Sequence, residues 1–538
     1  MSEEIKFGYK SKPFGHQIRE VHKQIEWLQQ GNNYGALFQE MGTGKSKQLV
    51  DIANFLFHHG KINAVLLIGP NGIQCQWMDQ QVPEHSSVPY LPCLWQNTSS
   101  KKYKADLENF IFGDAEGKLK WFFVNVDRFS TVSNKEAISY FVNYVQEHNT
   151  LIVIDEATII KNSSANRTKV IQALGKRAKY RYVLTGSPVT NSPFDLYSMC
   201  EFMRPGLFGC SLHVFKHRYG LMVNDHNPHT GQRFARLMNE KDLAIAKSLI
   251  QRGQSFEEIA MKTGASESVI RYIAENGSVA KPYRNLEELK RIILPFSSIV
   301  RKSECLDLPD KIYTQHIIEM GAEQKKVYDD LKKSLLAEYD GAELQVTHKL
   351  TLLMRLQQVS GGFFPSKEGE VMTSKMIGKS NVKIEFIKHD LEEAGDMKCI
   401  IWSRFRAEIE NLESELKKEF PGKVVERYDG SKTSEEKEVI RRAAQAGEID
   451  ILIINPQSGS RGLNLQDHFH LHYYFSNHPS LEYREQSEDR SHRMGLKVNV
   501  QYKDLICKDT VDLKIYDTLH SKKDLSEYFK TADLREFL

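Results

Sequence analysis

The chain has 538 residues, 40% of them hydrophobic and 27% charged, with 73 lysines and arginines against 70 aspartates and glutamates for a formal net charge of +3. That length is more than one core organises, so two or more domains are expected, and so small a net charge excludes a uniformly basic histone-like or membrane-coating protein. Seven scattered cysteines with no CxxC pair indicate neither a disulfide framework nor a zinc site, while the polar start MSEEIKFGYK and the lack of an apolar run of ~18 residues point to a soluble, intracellular protein away from membranes, expected as a monomer.

From Tyr34 to about Leu196, short apolar runs alternate with helical patterns. GALF comes first, then a helix through Leu49 and Phe55, then AVLLI, WFFVNV, LIVID and YVL. Such alternation predicts a parallel sheet flanked by helices. From roughly Gly206 to Asp340 the strands vanish and the sequence turns helical and charged, as helical insertions and a hinge require. A second strand set follows at Cys399–Trp402, Ile451–Ile454 and His468–Phe475. The expected fold is α/β, with two parallel-sheet lobes and helical insertions. Residues 1–205 form the first lobe, 206–310 a helical insertion and return to it, 311–375 a helical hinge, and 376–538 the second lobe with C-terminal helices.

Between the strand GALF and the helix KQLVDIANFLF lies Gln39-Glu40-Met41-Gly42-Thr43-Gly44-Lys45-Ser46. Strand, glycine loop and helix stand in the order that a phosphate-binding loop needs. The backbone N–H groups of Gly42, Thr43 and Gly44 can wrap phosphates, Lys45 brings a positive charge to the outer ones, and Ser46 offers a hydroxyl to Mg²⁺. Gln39 occupies the place of the first glycine in the full GxxxxGK[ST] pattern. LIVIDEAT then ends a strand in two carboxylates, Asp155 for a water-bound Mg²⁺ and Glu156 for an attacking water, the pair that phosphoryl transfer requires.

Within the insertion, LAIAKSLIQRGQSFEEIAMKTGASESVIRYIAENG reads as a helix-turn-helix-like unit at about 240–280. Ala260 is the small residue before the turn, Gly264 lies in the turn, and Ile259, Ala265, Ile270 and Ile273 supply the apolar faces. Its second helix starts near Ser266, and its outward Ser268 and Arg271 are candidate DNA contacts, although similar trihelical units also dock proteins. Near the other end, Gln486, Arg490 and Arg493 stand at i, i+4 and i+7, the spacing of one helix face. Two guanidinium groups on such a face suit the charge of a transferring phosphoryl group.

The segment Leu184-Thr185-Gly186-Ser187-Pro188-Val189-Thr190-Asn191, followed by Phe202-Met203-Arg204-Pro205, resembles the third motif of superfamily 2 helicases of the Swi/Snf (sucrose-nonfermenting) type. Ile299-Val300-Arg301-Lys302, Leu308-Pro309-Asp310-Lys311 and Glu323-Gln324 resemble the junction between that family's two motor lobes. Ser458 to Leu465 resembles its fifth motif and Gln486 to Gly495 its sixth, with Ser460, Arg461 and Leu496 departing from the usual residues. The resemblance implies two RecA-like lobes, ATP and Mg²⁺ as cofactors, Gln17 as the adenine-reading glutamine, Gly462 at the nucleotide, and Arg490 and Arg493 as γ-phosphate sensors. It further implies a groove that tracks the duplex DNA backbone, with Ser403, Arg404 and Asn464 as candidate contacts. Such contacts are salt-sensitive and carry no sequence preference. The expected function is a DNA-dependent ATPase that translocates on double-stranded or branched DNA, by analogy in repair, recombination or genome processing. A strand-separating DNA or RNA helicase and a nucleotide-switched regulator built on the helix-turn-helix remain open alternatives.

Overall fold

Runs such as YGALFQ and TLIVID are apolar at nearly every position because both faces of their sheet are covered, as parallel sheets demand. In the computed structural model, residues 8–521 are described apart from 71, 97, 99, 131–134, 187, 190–191, 227–231, 278–280, 340–345, 369–370 and 460–461. Ser187, Thr190 and Asn191 of the third-motif segment, Ser460 and Arg461 of the fifth, and the 522–538 end of the expected second lobe lie outside the described residues. The chain divides into two units, residues 1–40 with 44–301 and residues 302–538 with 41–43.

The first unit carries strands β1 (Tyr34–Gln39), β2 (Ala64–Gly69), β3 (Tyr90–Leu94), β4 (Leu119–Asn125), β5 (Thr150–Asp155) and β6 (Tyr180–Thr185). A hairpin of β7 (Met222–His226) and β8 (Arg233–Leu237) follows, and then β9 (Ser297–Val300). The main sheet runs β3-β4-β2-β5-β6-β1-β9, and its neighbours pair in parallel. Alternate residues go to opposite faces: Ala36, Leu66, Phe122, Ile152 and Val183 enter one buried cluster, while Leu37, Val65, Trp121, Val153 and Leu184 enter the other.

The second unit has β10 (Lys311–Ile318), the hairpin β11 (Phe363–Glu368) and β12 (Val371–Met376), then β13 (Cys399–Trp402), β14 (Val425–Tyr428), β15 (Ile451–Ile454), β16 (Leu471–Tyr474) and β17 (Val500–Cys507). Its sheet, in the order β10-β17-β16-β13-β15-β14, is parallel throughout. The same alternation fills both its faces, with Ile401 and Ile453 on one side and Ile400 and Leu452 on the other. A separate apolar cluster joins Tyr328, Leu356 and Val359 to Ile515 and Leu519. Two α/β lobes are therefore what the chain forms. Among the described residues no helix is long and apolar enough to cross a membrane.

The expectation that strands vanish over 206–340 does not hold, because β7, β8, β9 and β10 all fall there. These strands are short or half-exposed and their polar residues hide the alternation; β10 alternates over KIYTQHII with mostly exposed positions. Within the insertion, helices Glu240–Gln251, Phe256–Thr263 and Glu267–Glu275 bury Ile259, Ala265, Ile270 and Ile273 in a core of their own with Leu221 and Val223. Gly264 closes the Phe256–Thr263 helix at φ +69°, and a Cβ there would lie 2.4 Å from the Asn224 carbonyl oxygen. The Asn224 N–H in turn donates to the Gly264 carbonyl at 2.8 Å, so the hairpin is seated on the turn. Replacing Gly264→Ala combines a left-handed penalty of ~1–2 kcal/mol with overpacking of ~1–3 kcal/mol. Denaturant unfolding is expected to register a loss of at least ~2 kcal/mol, with proteolysis opening first within 240–276; an unchanged midpoint would remove the turn from this account.

Candidate nucleotide site

The phosphate loop leaves the carboxyl end of β1 and enters the Lys45–His58 helix. Gly42 at φ +81° and Gly44 at φ +85° take left-handed conformations that turn the backbone sharply before the helix, and a residue with a Cβ pays for such a turn. Thr43 is buried, whereas Lys45 and Ser46 are half-buried. The Lys45 ammonium donates to the carbonyls of Gln39 at 2.7 Å and Glu40 at 3.2 Å. Gln39, which replaces the first glycine of the pattern, has a structural task. Its carboxamide pairs reciprocally with Gln48 at 2.7 and 2.8 Å and donates to Ser298 Oγ at 2.6 Å. Ser298 in turn donates to Glu20 at 2.7 Å, so a buried polar chain clips the loop's base to β9 and the Gly15–Gln29 helix.

Asp155 ends β5, and its Oδ2 accepts from Trp77 Nε1 at 2.7 Å. Glu156 follows in the left-handed region at φ 59°, ψ 66°, a conformation costing a non-glycine residue ~1–2 kcal/mol. Such strain persists where surrounding contacts hold it and is concentrated at functional sites. Here the buried Glu156 carboxylate accepts from Thr185 Oγ1 at 2.9 Å and from Thr158 Oγ1 at 3.2 Å. Parallel register sets Asp155 opposite Leu184 and Thr185 opposite Phe38, so the acids, Thr185 and the root of the phosphate loop share one sheet edge. Gln17 is fully buried on the Gly15–Gln29 helix, where its Oε1 accepts the Phe14 N–H at 3.0 Å. Trp77, Thr158 and Thr185 were not singled out by sequence reasoning. Thr185 sits in the quoted third-motif segment, while Trp77 carries no local signal because its partner is 78 positions away.

In the second unit the one-face helix expected for Gln486, Arg490 and Arg493 is not formed. The helix runs Leu481–Glu488 and stops, which leaves both arginines in the turn beyond it. Its last carbonyls are taken by side chains: Ser487 Oγ donates to Arg484 O at 2.7 Å, Arg490 Nε to Gln486 O at 2.9 Å, and Tyr502 Oη to Glu488 O at 2.9 Å. Backbone donors take part too, Asp489 N–H bonding Glu485 O at 3.1 Å, Arg490 N–H Ser487 O at 3.2 Å and His492 N–H Glu488 O at 3.1 Å, so every carbonyl of the end is satisfied in an irregular turn. Arg490 is buried and also donates to Leu463 O at 3.1 Å, while Arg493 hydrogen-bonds the Asn464 side chain. Gly462 stands just before them at φ +79°. The buried Gln486 donates to Glu482 at 2.9 Å.

Ser403 is corrected as a surface contact, because its side chain is fully buried and donates to Glu408 Oε2 at 2.7 Å. Arg404 beside it is half-buried. On the insertion, Ser268 and Arg271 are exposed, with Ser268 hydrogen-bonded to Ser266 at 2.9 Å and the Arg271 guanidinium 5.4 Å from the Phe256 ring centre. Glu267 and Glu275 are exposed on the same helix, which thins its positive face.

The SNF2-related domain family matches residues 16–361, and the helicase conserved C-terminal domain matches residues 382–495. An uncharacterized ATP-dependent helicase of Mycoplasma genitalium is 22% identical over 97% of this chain and 43% of its own length. The putative ATP-dependent helicase/translocase YwqA of Bacillus subtilis is 24% identical over 70% and 35% respectively, and the human TATA-binding protein-associated factor 172 is 23% identical over 94% and 27%. The chain thus spans less than half the length of these relatives. Among solved structures, the Sulfolobus solfataricus SWI2/SNF2 ATPase core in complex with dsDNA is 20% identical, covers 99% of this chain and 97% of its own, and has a TM-score of 0.38.

A buried charge network stabilises the Leu481–Glu488 helix. Arg484 donates to Glu488 at 2.8 Å and to both oxygens of Asp504 at 2.6 and 2.9 Å, with its guanidinium 3.5 Å from the Tyr474 ring centre. Burial alone would raise the Glu488 carboxyl, but Lys311 and Arg484 beside it hold it down to about 2. A carboxyl depressed in the folded state adds stability that is present above its ordinary value near 4.5 and lost as pH falls through about 2. Unfolding measured against pH is expected to weaken across that window. Glu488→Gln should flatten this limb and cost about 3 kcal/mol at neutral pH; an unchanged acid limb would contradict the assignment.

Proposed function

The chain belongs to the SNF2-related family of superfamily 2 helicase-type ATPases, matched over residues 16–361, and from that membership and the sheet-edge geometry we propose that it is a DNA-dependent ATPase. It uses hydrolysis to translocate on double-stranded DNA and to remodel forks, branched junctions or protein–DNA complexes. The observation that carries the proposal is the strained, buried Glu156 held by Thr185 and Thr158 on the same sheet edge as Asp155 and the Lys45 loop. A carboxylate fixed in that way supports a group that orients a water for attack.

The roles follow from the chemistry each side chain offers. The N–H groups of Gly42 to Ser46 bind phosphate oxygens at a helix N-terminus. Lys45 exchanges its two carbonyl partners for the outer phosphates, which are better acceptors for an ammonium. The oxygen donors Ser46 and Asp155 suit a hard divalent cation, and Trp77 holds the Asp155 carboxylate in place for it. Mg²⁺, when bound there, neutralises charge on the phosphates. Glu156 positions the attacking water and accepts its proton. Gln17 recognises the adenine, and Gly462, Gln486, Arg490 and Arg493 are assigned to the nucleotide, with both guanidinium groups suited to the developing charge. Arg404 and Asn464 are proposed to contact the DNA backbone, and Ser268 and Arg271 to add a contact from the insertion.

Lys45→Ala and Glu156→Gln are each expected to abolish turnover while leaving the thermal melt unchanged; retained hydrolysis in either purified variant refutes the site. Thr185→Val should lower kcat about tenfold with little change in KM, the worth of one hydrogen bond to a charged group, ~1.5 kcal/mol. Displacement of a triplex-forming strand without separation of duplex strands is the expected motor behaviour, and efficient unwinding would favour the strand-separating alternative.

A further inference from the structure

Arg404 leaves the carboxyl end of β13 and is pinned from three directions within the second unit. Its N–H donates to Ser476 Oγ at 2.8 Å, its carbonyl accepts from Asn455 Nδ2 at 2.9 Å, and its Nη1 donates to Gln357 Oε1 at 2.9 Å. The third partner is a neutral carboxamide, so the charge of a half-buried guanidinium is held in position without being cancelled by it. Burial accordingly pushes Arg404 down to about 10, with a pull from Glu408 opposing it. A desolvated guanidinium of this kind suits an anionic oxygen.

Gln357 is itself almost fully buried, at 1% exposure, near the end of the Val346–Ser360 helix. Its Nε2 donates to the Asn477 carbonyl at 2.8 Å, which points the amide nitrogen at Asn477 and turns the acceptor oxygen toward Arg404. The side chain of Asn477 continues the chain of contacts, since its Oδ1 accepts from Arg484 at 2.7 Å and its Nδ2 donates to Asp504 at 2.9 Å. Arg484 lies on the Leu481–Glu488 helix, which also carries Gln486 and leads into Arg490.

We infer that Gln357 is a positioning residue that aims the Arg404 guanidinium at nucleic acid and ties it, through Asn477, to the helix bearing Gln486. The inference rests on the proposed role of Arg404 as a DNA contact. Gln357 touches neither nucleotide nor DNA in this scheme. Its contribution is to let the occupancy of Arg404 be felt at the segment that serves the nucleotide.

The test is a double-mutant cycle on the full chain, reading the duplex DNA concentration that half-saturates ATPase stimulation, the maximal stimulated rate and the DNA-free rate. Arg404→Ala and Gln357→Met should each raise half-saturation about tenfold, the loss expected for one contact to a charged group, and the double variant should be no worse than Arg404→Ala. The DNA-free rate of Gln357→Met should stay within about twofold of native, since Gln357 touches neither nucleotide nor DNA. Gln357→Glu cancels the Arg404 charge that the carboxamide leaves intact and also loses the donor to Asn477, so half-saturation should rise at least as far as in Gln357→Met and the maximal stimulated rate should fall several-fold. Losses that multiply in the double variant overturn the inference, as does native half-saturation in Gln357→Met. If Gln357→Met fails to fold, the glutamate variant decides: a native stimulated rate overturns the tie to Asn477. A native chain whose hydrolysis ignores DNA would instead sink the DNA-dependent reading beneath it.

Discussion

Parallel pairing of β5 with β6 and of β6 with β1, in one fixed register, brings three distant pieces of chain to a common edge. Every strand of such a sheet ends at the same side, and the residue after each strand is the first free of the ladder. Asp155 and Thr185 are the last residues of β5 and β6, Glu156 follows directly, and Gly42–Ser46 lies just beyond the end of β1. None of them could be moved by one position without sending the strand's whole apolar set to the opposite face, since alternate side chains fill two separate cores. The strain at Glu156 is tolerated for the same reason: packing of β5 and β6 leaves the backbone no cheaper way to bring the carboxylate under the two threonine hydroxyls.

The second unit solves a different problem, that of keeping charge inside a parallel lobe. Arg484, Glu488, Asp504, Lys311 and Tyr313 form a network in which each charged group has an opposite partner or a hydroxyl donor. Buried ion pairs of this kind add little to stability over an apolar core, because desolvation offsets attraction. What they fix is geometry. The network holds the Leu481–Glu488 helix against β17, and the helix ends just before Arg490 enters a turn. Lys383 and Asp512 repeat the device at 2.7 Å, joining the Val382–Ala394 and Val511–His520 helices.

Much of this was legible in the chain because the signals are local. A glycine loop between an apolar strand and a helix, or a strand that ends in two acids, is a signal held within ten residues, and the structure sets these segments on the two strands that flank β6. The turn at Gly264 was likewise readable from its place four residues after Ala260, and the structure gives it a left-handed backbone there. What was not legible depended on partners far away in sequence. The spacing of Gln486, Arg490 and Arg493 fits a helix, yet the helix ends at Glu488, where the Arg490 N–H turns to Ser487 O and its Nε takes the Gln486 carbonyl instead. Ser403 looked available for a contact until the buried Glu408 claimed its hydroxyl. Strands β7 to β10 escaped because polar and exposed positions interrupt their pattern, and Gln39 looked like a defect in a motif although Gln48 and Ser298 give it a partnered place.

The central claim, a nucleotide cycle coupled to DNA, is tested most directly by measuring ATP hydrolysis by the purified native chain against single-stranded, duplex, forked and four-way DNA, with RNA as control. The account predicts hydrolysis that rises with duplex-containing DNA, falls off as salt is raised, and responds little to RNA. Hydrolysis that is absent under all of these conditions, or that is indifferent to DNA of every form, would contradict it.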